Sequence, residues 1–94
     1  MDKGEALAIV EAELAALHEA PYLDLVERLV GKQEVLERVG ASGAGYSVEL
    51  HALWDDKRLG NLRVIASIDD GGWRAFAPLS VDFIRAPDES FVGE

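Results

Sequence analysis

The chain has 94 residues, 49% hydrophobic and 29% charged, the balance of one globular domain with a small core and not of a disordered chain. It has no cysteine, which excludes disulfides, thiolate metal sites and a cysteine nucleophile. Eighteen acids against nine bases leave a net charge of −9. The bases are scattered, and direct binding to nucleic acid, which needs clustered Lys and Arg, is disfavoured.

The N-terminus, Met1 to Glu5, lacks a basic flank followed by an apolar stretch, so no secretion signal is expected. No apolar run approaches the roughly 20 residues that cross a bilayer, and the cytoplasm is the expected compartment. Asp2 and Glu5 have the spacing of a capping box, with Asp2 at the N-cap. Leu7, Val10, Leu14 and Leu17 follow at helical spacing, among alanines of high helix propensity. This predicts a helix from Lys3 to Glu19, with His18 at the boundary of its apolar stripe. Pro21 ends that helix and opens another, in which Tyr22, Leu25, Val26 and Leu29 share a face and Gly31 is the stop. Val35, Glu37 and Val39 then alternate with Leu36 and Arg38, which predicts a strand over Glu34 to Val39. The alternative is a longer helix running to Gly40.

Gly40 to Gly45 reads as a flexible loop and lacks the Gly-Lys-Ser/Thr ending of a phosphate loop. Beyond it, Tyr46, Val48, Leu50, Ala52 and Trp54 point one way, and Ser47, Glu49, His51 and Leu53 the other. Leu62, Val64, Ala66 and Ile68 alternate with Arg63, Ile65 and Ser67. Asp69-Asp70-Gly71-Gly72 reads as a tight hairpin turn, because its central positions favour positive φ. That turn pairs Ile68 with Trp73, Ser67 with Arg74 and Ile65 with Phe76, in a strand from Trp73 to Ala77 that Pro78 ends. Ser80 to Arg85 is a short edge strand, and Phe91-Val92 tucks the C-terminus against the body.

Setting Trp54 opposite Leu62 puts His51 opposite Ile65 and Glu49 opposite Ser67. One face then holds the apolar set with both tryptophans, and the Leu7–Leu17 helix is assigned to it. The second face carries His51, Ile65 and Phe76 in one row and Glu49, Ser67 and Arg74 in the next. Ile65 and Phe76 are large apolar groups on a nominally exposed face. Three readings explain them: cover by the Pro78–Ile84 segment, cover by a second copy of the chain, or anchoring of a partner.

The acidic pairs Asp55-Asp56 and Asp69-Asp70 cap opposite ends of one strand, about 20 Å apart at ~3.3 Å per residue. They read as turn residues and offer no joint metal site. His51 with Glu49 is the best acid–base pairing in the chain, two apart on one strand and on one face. Nothing marks Ser47 or Ser67 as activated, and no cofactor or metal is called for.

The string Trp54-Asp55-Asp56, Arg63-Val64-Ile65, Asp69 to Phe76, Pro78-Leu79 and Asp82-Phe83-Ile84 resembles a family of short bacterial domains of uncharacterised activity. The resemblance spans roughly Val35 to Glu94. It implies a bacterial, cytoplasmic, stand-alone domain and carries no activity, ligand or catalytic residue to this chain.

The expected architecture is a single α+β domain: one or two helices over residues 1–32, packed on a four-stranded antiparallel meander over residues 33–94. The expected function is that of a non-catalytic, acidic binding protein, in its concrete form an inhibitor or immunity-type protein. It engages a protein partner of basic character, or a second copy, through Glu49, His51, Ile65, Arg74 and Phe76. The alternative is a small-molecule-binding or enzymatic domain, with His51 or Glu49 working in a pocket between helix and sheet. The two differ in whether Ile65 and Phe76 are exposed, and in whether a concavity has His51 or a tryptophan in its wall.

Overall fold

The computed structural model describes residues 2–71 and 79–94. Two helices, α1 (Lys3–His18) and α2 (Tyr22–Leu29), lie on one face of an antiparallel sheet. The strands are β1 (Glu34–Val39), β2 (Gly45–Trp54), β3 (Leu62–Asp69), β4 (Leu79–Arg85) and β5 (Phe91–Val92), in spatial order β1-β2-β3-β4-β5. The described residues therefore form an α+β meander with one more strand than expected, the last only two residues long.

The local signals account for the elements. Asp2 caps α1, its carboxylate accepting the Glu5 N–H at 3.0 Å. Only half of the capping box forms, because the Glu5 side chain is turned to the sheet. Pro21 is the N-cap of α2 and not its first helical residue. Gly31, at φ 70°, takes the left-handed conformation that stops α2. The stop leaves Glu34–Val39 free to pair with β2, with Leu36 opposite Val48, so the strand forms and the longer helix does not.

Register between β2 and β3 follows the expected alternation. Trp54 faces Leu62, His51 faces Ile65 and Glu49 faces Ser67. The inner face places Val48, Leu50, Leu62, Val64 and Ile68 in the core with no exposed surface, against Val10 of α1 and Leu25 and Leu29 of α2. Trp54 packs against that core and is only partly buried. A slip of one residue would carry this whole set to the other face.

Two expectations need correction. Ala6 is fully buried in α1, while Leu7, expected in the core stripe, is 36% exposed. The cause is Glu5, whose carboxylate is held by Ser42 and Tyr46. At about 100° per residue, a helix pinned at position 5 turns position 6 inward and position 7 out.

The second correction concerns β3. Its two neighbours are β2 and β4, with Ile65 opposite Asp82 and Ile68 opposite Leu79. Ile65 therefore does not pair with Phe76, nor Ile68 with Trp73. The strand expected at Trp73–Ala77 lies outside the described residues. The segment thought to cover Ile65 is instead a sheet neighbour of β3, and not an edge, since β5 pairs with it in turn. Alternation alone did not separate the two segments. Burial of Phe83 and Arg85 under the end of α1 favours β4.

Arg85 is the buried charged residue of the inner face among the described residues, 8% exposed. Its Nη1 donates to the carbonyls of His18 and Ala20, both at 3.0 Å, and so satisfies the orphan carbonyls at the end of α1. Its Nε donates to the Glu89 carbonyl and its guanidinium pairs with the Glu89 carboxylate. That carboxylate also accepts the Tyr22 N–H at 2.9 Å, so one Arg–Glu pair ties both helices to the last hairpin. His18, at the boundary as expected, stacks on Phe91 at 3.6 Å and meets the Glu94 carboxylate at 3.2 Å.

Candidate functional site

Alternation gives the sheet a second face that carries no helix among the described residues. Four rows cross it, the outermost being Glu37, Ser47 and Asp69, and the other three carry its apolar groups. In the first, His51, Ile65 and Asp82 lie side by side on β2, β3 and β4. In the next, Val35, Glu49, Ser67 and Ser80 follow one another. In the third, Leu53, Arg63, Ile84 and Val92 do so.

Of the residues expected at a site, the structure brings Glu49, His51 and Ile65 onto this one surface. Arg74 and Phe76 lie outside the described residues. The expected row is completed by Asp82 in the place assigned to Phe76. Sequence reasoning missed Asp82 and Val35 as neighbours of the patch. Their alternation within β4 and β1 was the available signal, but which strand lay beside which was not legible.

The chemistry of the face is mixed. Val35 is 53% and Leu53 54% exposed, while Ile65 and Ile84 are half-buried. Arg63 is held between Asp55, at 2.9 Å, and Asp82. Hydrogen bonds to Asp82 first and Asp55 second raise its pKa further above the ordinary range. Its charge is thereby neutralised locally. Glu37 and Glu49 have no ion-pair partner among the described residues, so the net character of the face is acidic and apolar.

His51 is half-buried, and its Nδ1 is buried without a hydrogen-bond partner among the described residues. Glu49 does not orient it, because no hydrogen bond joins them there. A general base needs such an orienting group, and His51 Nδ1 has none among the described residues. Both residues lie on the face of β2 that points away from the helices.

Concavities lie elsewhere. A groove of about 610 Å³ runs between α1 and the end of β1, lined by Ala8, Ile9, Ala12 and Val39 with Asp2, Glu5 and Ser42 at one end. Its acids are already engaged: Asp2 caps the helix and Glu5 accepts from Ser42 and Tyr46. A notch of about 330 Å³ at the far edge is lined by His18, Asp82, Phe83 and Glu94 among others. The wall of neither contains His51 or a tryptophan.

One aspartate of each pair braces its turn, while Asp55 instead holds Arg63. Asp56 accepts the N–H groups of Lys57 and Asn61, both at 2.7 Å, and its pKa is lowered chiefly by the Lys57 bond. Asp69 accepts the Gly71 N–H at 2.8 Å. No cluster of three or more His, Cys, Asp or Glu among the described residues could hold a metal ion. No helix there is long and apolar enough to cross a membrane. Comparison with family models, with curated proteins and with solved structures finds no match to this chain.

Proposed function

We propose that this chain is a non-catalytic binding protein that engages a protein partner of basic character through the outer face of its sheet. Its concrete form is an inhibitor or immunity-type protein of the bacterial cytoplasm. The observation that carries the reading is the outer face, which bears no helix among the described residues: Leu53, Ile65 and Val35 present apolar area beside the carboxylates Glu37 and Glu49, which have no ion-pair partner there. An apolar centre with a charged rim is the usual composition of a protein contact surface, and the net charge of −9 steers basic partners to it.

Nucleic acid is a poor fit. Arg28, Arg38, Arg63 and Arg85 are each engaged by a carboxylate and offer little to phosphate. An enzymatic reading finds no oriented base among the described residues, since His51 and Glu49 form no hydrogen-bonded pair. The test is affinity capture from the source cell with the wild-type chain and with Leu53→Asp. Leu53 is exposed, so the variant keeps its fold, and a protein bound by the wild type is lost from the variant. Equal capture by both chains would remove the outer face as the contact surface.

A further inference from the structure

We infer that two copies of this chain join through β1, edge to edge and antiparallel about Leu36, to make one continuous sheet. This edge shares Val35 and Glu37 with the outer face, but the inference does not rest on the partner reading above.

The first observation is an open edge. Among the described residues β1 is the outermost strand and pairs only with β2. Gly40 N–H donates to the Ala44 carbonyl at 2.8 Å at the turn. Hydrogen-bonded pairs alternate along an antiparallel ladder, so Glu34, Leu36 and Arg38 bond to β2. The N–H and C=O groups of Val35, Glu37 and Val39 then point to the open edge. Arg38 agrees with this, since its Nη1 reaches round to the Glu37 carbonyl at 3.0 Å. The edge carries no proline, lysine or bulge, and its inward charges, Glu34 and Arg38, are of the kind that discourages strands without matching charges. Val35 and Val39 are 53% and 74% exposed.

The second observation is charge, and it selects the occupant and the register. Outward-bonding residues can pair only with outward-bonding residues, so the two-fold axis must pass through a residue. An axis at Glu37 sets that carboxylate against itself. An axis at Arg38 sets guanidinium against guanidinium, and one at Val35 sets Lys32 against Arg38. An axis at Leu36 alone is complementary. It pairs Leu36 with Leu36, Val35 with Glu37, and Glu34 with Arg38 of the second copy, twice.

Within one chain, Arg28 already holds Glu34 at 2.7 Å and Glu13 holds Arg38. Joining two copies therefore builds a chain of alternating sign, from Arg28 to Glu34 to Arg38 of the second copy to its Glu13. All four side chains lie on the helix side of the sheet. Self-complementary patches of this kind are what a two-fold interface requires.

Sedimentation equilibrium of the full chain, from micromolar to millimolar, tests it. The wild type is expected to show a monomer–dimer equilibrium. Arg38→Glu alone and Glu34→Arg alone each set like charges opposite one another twice, and each weakens its own dimer about tenfold. Mixed in equal amounts, these two variants restore both opposite-charge pairs and are expected to return to wild-type affinity. Glu37→Pro removes an outward N–H while leaving every bond to β2, and is expected to be a folded monomer by circular dichroism. A wild type that stays monomeric at every concentration overturns the inference. So does a mixture that binds no tighter than its components, or a dimer that persists in Glu37→Pro. Should Glu37→Pro not fold, the charge-exchange mixture decides.

Discussion

The Tyr46 hydroxyl, at the start of β2, donates to the Glu5 carboxylate of α1 at 2.8 Å. The same carboxylate accepts the N–H of Ser42 at 2.8 Å and its hydroxyl at 2.7 Å. Three donors from one hairpin thus converge on one side chain of the first helical turn. They fix the rotation of α1, and with it the choice of Ala6 over Leu7 for the core.

This clamp makes stability sensitive to acid and to alkali. The Ser42 N–H first, then the Ser42 and Tyr46 hydroxyls, hold Glu5 below its usual value of 4.5. A depressed carboxyl stabilises the fold fully above its unfolded pKa and ceases to do so as pH falls through the folded value. Tyr46 is pushed up to about 12, first by its bond to Glu5 and then by burial. Its contribution is complete below the unfolded value of 10.0 and is lost as pH rises through about 12. Glu5→Gln is expected to flatten the acid limb of a melting-temperature profile, and Tyr46→Phe the alkaline limb. Profiles that keep their wild-type shape on both limbs would contradict the assignment.

Gly40 and Glu5 form a coupled pair. A Cβ at Gly40 would lie 2.0 Å from the Glu5 carboxylate, so Gly40→Ala is expected to expel that side chain and cost the clamp. Because the two changes remove one feature, they should not add. A double-mutant cycle with Glu5→Ala and Gly40→Ala, followed by urea denaturation, should give a double variant no less stable than the worse single one. Additive losses would mean that Gly40 acts through its backbone alone.

Strand polarity can be read from two leucines of β2. Leu50 is fully buried under the helices, and Leu50→Ala is expected to cost about 2–5 kcal/mol. Leu53 lies on the uncovered face, and Leu53→Ala should stay within about 0.5 kcal/mol. Equal losses from the two substitutions, measured by chemical denaturation, would show that the outer face is covered in solution.

Arg85→Met keeps most of the side-chain volume but strips the donors from the His18, Ala20 and Glu89 carbonyls. Leaving such groups unpaired in a buried setting costs about 1–3 kcal/mol. Because the pair also holds Glu89 at the first turn of α2, amide exchange should accelerate at Tyr22 and Leu23 as well as at the end of α1. Protection unchanged at the α2 terminus would separate Arg85 from the second helix.

The local code of this chain was legible wherever neighbours in sequence decide the conformation. The Asp2 cap, the Gly31 stop, the alternation of β2 and β3 and the aspartate turns all rest on contacts within a few residues. The pairing of Trp54 with Leu62 was legible too, because a slip would have turned the apolar set to water. Glu49, His51 and Ile65 fell on one surface for the same reason.

Tertiary structure decided the rest. Two segments after Gly71 alternate equally well, and only packing of Phe83 and Arg85 under α1 makes Leu79–Arg85 the neighbour of β3. The rotation of α1 was set by Glu5, which sequence spacing offered as a capping residue and which the hairpin at Ser42 and Tyr46 claimed instead. Sequence period determines which residues share a face, because pleat and helical pitch are local geometry. Which strand lies beside which, and which donor wins a carboxylate, depends on groups far apart in the chain whose competition is resolved only when they meet.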